Sequence, residues 1–330
     1  MSTSVAELSL VLLYSAMAVY AIAFVAYAMD LARRSAPAGT VEAQRTPVLV
    51  GTAAAPTVRS PGNVEARPDP GASAAKRSTG RASRVAFALT VLAWVLHLGA
   101  TALRALAGQR VPWANMFEFS LTGALLIVGV FLVVQIWVDL KFLGTFVIGL
   151  MLVLLGVATV GFYVDVVPLP PALQSAWLVI HVFVALLATA FFALSFAASS
   201  LQLAQGRRER NPEAPLGVIG RVLNTIPDSQ ALDAIAYRIT IVGFALWTFT
   251  LMAGSIWAER AWGRYWGWDV KEVWTFIIWV IYAAYIHAKA TRGWHGARAA
   301  WLAIIGFAAV LFNFGIVNVF FTGLHSYSGL

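Results

Sequence analysis

The stretch that decides the fold is "WGRYWGWDVKEVWTFIIWVIYAAYIHAKATR", residues 262–292. Its second part, 272–291, is an apolar run of the length, about 20 residues, that one helix needs to cross a bilayer's hydrocarbon. Asp269-x-x-Glu272 directly ahead of the run is a capping-box pattern, with Asp269 at N-cap and Glu272 at N3 of the helix that follows. The first part crowds Trp262, Tyr265, Trp266 and Trp268 around two glycines, with Trp274 just beyond. Gly263 and Gly267 let the backbone bend before the cap, so several flat rings can face one planar ligand.

The same apolar pattern recurs along the chain. Runs long enough to span a membrane lie at roughly 8–29, 85–106, 119–138, 142–163, 175–203, 236–257, 272–291 and 299–321. Sixty per cent hydrophobic residues against 12% charged excludes an ordinary soluble globular protein. The expectation is an all-α polytopic membrane protein of about eight transmembrane helices. The first run has no basic stretch before it, a long core, and Arg33-Arg34 after it as a stop-transfer flank, so residues 1–29 read as a retained N-terminal anchor. Residues 30–84, with prolines at 37, 47, 56, 61, 68 and 70, read as a disordered cytoplasmic linker. Residues 85–330 form a seven-helix membrane domain. No internal repeat is visible, which counts against an inverted-repeat transporter.

A net charge of +8 does not imply nucleic-acid binding, because the Lys and Arg sit in a few loops between apolar runs. Loops 30–84, 139–141, 204–235 and 288–298 hold most of them, including Arg207-Arg208-Glu209-Arg210. The opposite set holds only Arg104, Arg110, Arg260, Arg264 and Lys271. The positive-inside rule makes the first set cytoplasmic. Eight spans then put both termini outside, in a multi-pass protein of the cell membrane. The tryptophan segment, the loops 107–118 and 164–174, and the tail Thr322–Leu330 share that outer face.

There is no cysteine, hence no disulfide, thiolate metal site or Cys-x-x-Cys pair. The chemistry rests on five histidines. His97 and His287 lie inside spans, His181 about two turns into the fifth span, and His325 just past the last; His295 sits in a basic loop and reads as a solvated residue. Ionisable residues within hydrocarbon are functional candidates by default. Paired neutral imidazoles suit six-coordinate haem iron, whereas no Cys or acidic cluster completes a tetrahedral zinc site. Six of the chain's tryptophans fall between Trp257 and Trp279, a concentration that an interfacial aromatic belt, spread over all loop edges, does not explain.

In these residues the sequence resembles the haem-handling proteins of cytochrome c maturation that carry a tryptophan-rich "WWD" segment. It looks most like the CcsA/ResC-type integral subunit of the System II cytochrome c synthase. Residues 262–274 are similar to that family's signature, with Val270 where proline is usual; "HLGATALRALAGQRVPWANMFEF" (97–119) resembles its histidine followed by a Pro…Asn…Glu loop. "LQSAWLVIHV" (173–182) and "GLHSY" (323–327) resemble its two outer histidine stretches, and "AAYIHA" (283–288) its second membrane histidine.

The resemblance implies haem b entering at a membrane site ligated by His97 and His287. It then moves to an outer site between His181 and His325, against Trp262, Trp266, Trp268 and Trp274. There it is joined to the thiols of a Cys-x-x-Cys-His apocytochrome c, in a haem lyase activity shared with a ResB/CcsB-type membrane subunit. His181, His325 and Asp269 are the expected catalytic residues. Two alternatives stand beside this: a bis-histidine b-type electron-transfer cytochrome, which gives the tryptophan cluster and the tail position of His325 no role, and a System I-type haem delivery protein, which usually has fewer spans.

Overall fold

The computed structural model describes residues 2–35, 81–167, 174–212 and 217–325. The greater part of the expected linker, and the end of the tail from 326, lie outside the described residues. Eight of the described helices are long and apolar enough to cross a membrane, as the periodicity leads one to expect. In chain order the helices are α1 (Ser2–Arg34), α2 (Arg81–Gly108), α3 (Met116–Val134), α4 (Gly144–Gly161), α5 (Ala176–Arg210), the short α6 (Val218–Leu223), α7 (Ser229–Trp262), α8 (Val270–Arg292), α9 (Ala297–Phe314) and the short α10 (Ile316–Phe320). A 3-10 turn, Lys141–Leu143, leads into α4.

Several helices outrun their apolar cores. α7 begins at Ser229 rather than near 236, because Asp228 caps it: its carboxylate accepts from Ala231 N at 2.7 Å. α5 continues to Arg210, where basic side chains face the negative end of the helix dipole. α3 starts at Met116, capped by Asn115, and ends at Val134 instead of 138. Hydrocarbon length sets the apolar run, while capping residues set the helix ends.

α1 and α2 pack along each other, as do α5 and α7; α4 lies on α1 and α3, and α9 on α5 and α8. The first helix therefore shares the core: Leu13, Ala16 and Tyr20 are buried in the same cluster as Phe131 of α3 and Phe192 of α5. Ring stacking and indole hydrogen bonds tie the second half together. Phe192 stacks on Tyr282 at 3.7 Å, and Trp247 Nε1 donates to Thr275 O at 3.1 Å. Exposed aliphatic side chains such as Val95, Val153 and Val160, the last 91% exposed, cover the flanks of helices. In water such a surface would aggregate, and in lipid it is ordinary.

One end of the bundle gathers the start of α3, α5 and α8, the end of α7, and α10 with the tail after it. That convergence positions the site.

Candidate functional site

Beneath the tryptophan segment lies a mostly apolar cavity of about 220 Å³ between α3, α5, α7, α8 and α9. It runs from Tyr265, Trp266 and His325 at one end to mid-span Trp247 and Phe307. Each helix contributes one stripe at helical spacing; on α7 the stripe is Thr250, Gly254, Trp257 and Ala258.

His181 and His325 line this cavity together. His181 Nδ1 lies 3.0 Å from the carbonyl oxygen of Thr250, so Nδ1 is the protonated nitrogen and Nε2 carries the lone pair. His325 Nδ1 lies 2.7 Å from Asp269 Oδ2, which fixes the same tautomer. Two imidazoles, each anchored through Nδ1, therefore leave Nε2 free, the arrangement produced at metal sites by hydrogen-bond acceptors behind the ligating rings. Both rings touch Trp257: His181 is stacked on it at 5.9 Å between centroids, and His325 meets it at 5.5 Å, 66° between planes. The separation of the histidines is thus bounded by those two spans laid end to end. Trp262 closes the far side of His325 at 4.7 Å.

Asp269 sits at the centre of the local fold. With Glu272 it forms the capping box read from the sequence, Glu272 Oε2 accepting from Asp269 N at 3.1 Å and from Gly267 N at 2.8 Å. The Asp269 carboxylate also accepts from Leu324 N at 3.2 Å. The hydrogen bond from His325, first among the causes, holds the Asp269 carboxyl below its ordinary value. Val270 in place of proline leaves the cap intact. Gly263 ends α7 in the left-handed region, φ 70°, as a C-cap glycine does. Within 262–274 the second left-handed residue is Trp268 itself, φ 57°, rather than Gly267.

The four expected tryptophans separate. Trp262 and Trp266 stand at the site, Trp262 against His325 and Trp266 in the cavity wall. Trp268 is 78% exposed, edge-on to Trp266. Trp274 packs on Phe312 at 4.3 Å, between α8 and α9. The membrane histidines also separate. His97 is fully buried on α2, edge-on to Tyr20 and beside the Leu121 backbone. His287 is exposed on α8, and no described ring contact or hydrogen bond joins it to His97. His295, 72% exposed, lies 3.2 Å from Asp233, which also pairs with the buried Lys289 at 2.6 Å.

Three features escape a reading of the sequence. Trp257 joins the two histidines, and Thr250 orients one of them. Glu118 binds two arginines away from water: Arg104 Nε donates to Oε1 at 3.0 Å and Arg110 Nη1 to Oε2 at 2.6 Å. Arg104 and Arg110 also donate to the carbonyls of Val164 and Val167, so this cluster fastens the 107–118 and 163–167 segments over the end of the bundle.

Fold and site together define a polytopic helical membrane protein with two tautomer-fixed histidines beneath an aromatic lid at one end. Over residues 113–325 the chain matches the family described as "Cytochrome C assembly protein", and it belongs to that family. It is 40% identical over 177 residues to a Prochlorococcus marinus protein named "Cytochrome c biogenesis protein CcsA", covering 48% of this chain and 56% of that one. It is 38% identical over 176 residues to a Synechococcus sp. protein of the same name, covering 48% of this chain and 58% of that one. The match thus spans little more than half the length of these relatives. A solved structure named "Cytochrome c Heme Lyase CcmF" shares the fold, with a TM-score of 0.60 and 18% identity over 94% of this chain and 46% of that chain.

Proposed function

We propose that this chain acts in cytochrome c biogenesis: it binds haem b at the end of the bundle that faces out of the cell and takes part in joining it to Cys-x-x-Cys-His apocytochromes. The observation that carries the reading is the pair His181 and His325, each held through Nδ1 with Nε2 left for iron, in one apolar cavity. The residues fit the group: a flat apolar ligand meets Trp257, Trp262 and Trp266. Thioether formation adds a substrate S–H across a haem vinyl, so the protein has to hold thiol and vinyl in register and supplies no sulfur of its own. That agrees with the absence of cysteine from the chain. His181 and His325 would bind the iron, and Asp269 would orient His325.

His97 and His287 are proposed as the ligands at which haem enters. His97 is fully buried in the helix bundle, where an ionisable side chain is a functional candidate by default. A ResB/CcsB-type membrane subunit is the proposed partner, and positive-inside charge supports both termini outside, with residues 1–29 as anchor, 30–84 as cytoplasmic linker and 85–330 as the haem-handling domain.

The test is reconstitution. The chain and a ResB/CcsB-type partner are expressed with a Cys-x-x-Cys-His apocytochrome in a host without its own maturation system. Covalent holocytochrome is expected with wild type and absent with His181→Gly or His325→Gly, with partial recovery on adding imidazole. Holocytochrome formed equally well by both variants would refute the reading. Reporter fusions at 215 and 294 should read cytoplasmic, and at 265 outside.

A further inference from the structure

The polar groups of the cavity are unevenly matched. On the wall made by the start of α3, the start of α8 and α10, hydrogen-bond donors outnumber acceptors. Asn115 is 4% exposed, and its Oδ1 is committed as the N-cap of α3, accepting from Glu118 N at 2.9 Å. That bond fixes the amide and leaves Nδ2, which faces no partner among the described residues, as a free donor. The indole N–H of Trp113, which can only donate, also lines the cavity with no partner among the described residues. Lys271 enters from the first turn of α8 and donates to Asn318 Oδ1. Asn318 in turn spends its amide N–H on Met116 Sδ at 3.1 Å, a weak acceptor.

The anion nearest the ammonium is the Asp269 carboxylate, which is already engaged by His325 Nδ1 and Leu324 N. Glu272 reaches the cavity, but its Oε2 serves the N–H groups of Gly267 and Asp269. Asn313 contributes an open Oδ1, which is neutral. Both histidines present only Nε2. An ammonium and two unused N–H donors inside an apolar enclosure are the complement of an anion, and a carboxylate is the anion that accepts several such donors at once.

We propose that Lys271, Asn115 and Trp113, with Asn318 holding the Lys271 side chain, form a carboxylate site that takes a propionate of the haem whose iron lies between His181 and His325; the inference rests on the haem reading above. Haem carries its two propionates along one edge and its vinyls elsewhere on the ring. Pinning the propionate edge at Lys271 fixes the rotation of the macrocycle in its own plane. It thereby turns the vinyls away from this wall, towards a thiol arriving from outside the cavity. The histidines hold the iron but leave that rotation free.

The test is a Soret-band titration of the full-length chain in detergent with ferric protoporphyrin IX and, separately, its dimethyl ester, which lacks the carboxylates. The variants are Lys271→Met, and Asn115→Asp, which keeps a capping oxygen but replaces the donor by an acceptor. Loss of a hydrogen bond to a charged group predicts binding of the free acid about tenfold or more weaker in each variant, with the ester bound as by wild type. Equal weakening of both porphyrins would mean that the wall merely supports the cavity, and would overturn the carboxylate site. So would unchanged binding of the free acid in both variants. A wild-type chain that binds neither porphyrin would overturn the haem reading itself, and this site with it.

Discussion

Asp269 Oδ2 and His325 Nδ1 lie 2.7 Å apart across 56 residues of chain, so the residue that starts α8 is also the one that aims the histidine of the tail. Helix start and the orientation of His325 are thereby coupled in one carboxylate. Gly323 lies against that carboxylate with no room for a Cβ, which lets the tail come close enough for the bond to form.

The two roles of Asp269 separate by substitution. Asparagine caps a helix about as well as aspartate, so Asp269→Asn should leave thermal stability nearly unchanged, while Asp269→Ala should lower it by about 1 kcal/mol. Haem binding should fall in both, because neither keeps the carboxylate that holds the His325 tautomer. Thermal unfolding and haem titration on the same samples check this. An Asn variant that binds haem as wild type does would mean that the carboxylate is only a cap.

The clasp should also respond to acid. The Asp269 carboxyl is held below its ordinary value, chiefly by His325, so it titrates lower in the folded than in the unfolded chain. Its contribution is then fully present above the unfolded carboxylate value of about 3.9 and is lost as pH falls through the depressed folded value. Hydrogen exchange at Leu324 N–H, which donates to Asp269 Oδ1 at 3.2 Å, reports the release. Protection at this amide, corrected for intrinsic rates, should hold down to about pH 4 and drop below it. In Asp269→Asn that step should vanish.

Much of this was legible from sequence and some was not, for reasons that are physical. Spans announce themselves because hydrocarbon thickness imposes a length on apolar runs, and the Asp269–Glu272 box because capping is local. The sharing of one cavity by His181 and His325 follows once alternate loops are assigned to one face. What stayed hidden depends on helix phase across long separations. Trp257 meets both histidines, and Thr250 O reaches His181 over 69 residues, only because α5 and α7 pack in one register. The Glu118 cluster is hidden similarly, since charge pairs leave no periodic signal. Trp268 and Trp274 belong to the same motif as Trp266, but a left-handed backbone at Trp268 and the turn of α8 point them elsewhere.

Gly254 gives a test of that register. A Cβ there would meet His181 Cε1 at 2.7 Å and Nδ1 at 2.8 Å, so Gly254→Ala must displace the ring from Thr250 O. Alanine is the better helix former by roughly 0.5–1 kcal/mol, so lost haem binding in this variant is not a weakened helix. Gly156→Ala in α4, where a Cβ meets nothing within 4 Å, is the control and should bind haem normally. Equal haem affinity in the two variants would contradict the placement of His181.

Glu118 should matter for stability before it matters for chemistry. Its side chain is 1% exposed and answers two arginines. Glu118→Gln leaves buried guanidinium charge uncompensated, which typically lowers stability by about 3–5 kcal/mol. Detergent unfolding midpoints and yield of folded protein measure the effect. Glu118→Gln of wild-type stability would mean that the cluster is wetter than the structure has it.

If His181 and His325 ligate one iron, the electron paramagnetic resonance spectrum of the ferric haem complex reports it. In a His97→Gly, His287→Gly background, which removes the proposed entry site, the chain should give a low-spin bis-imidazole signal. His325→Gly should lose it, with a high-spin signal in its place, and should regain it when imidazole is added. His181→Gly should behave alike, and His295→Gly should keep the signal. A bis-imidazole signal that survives both His181→Gly and His325→Gly in that background would mean that the two histidines do not share an iron.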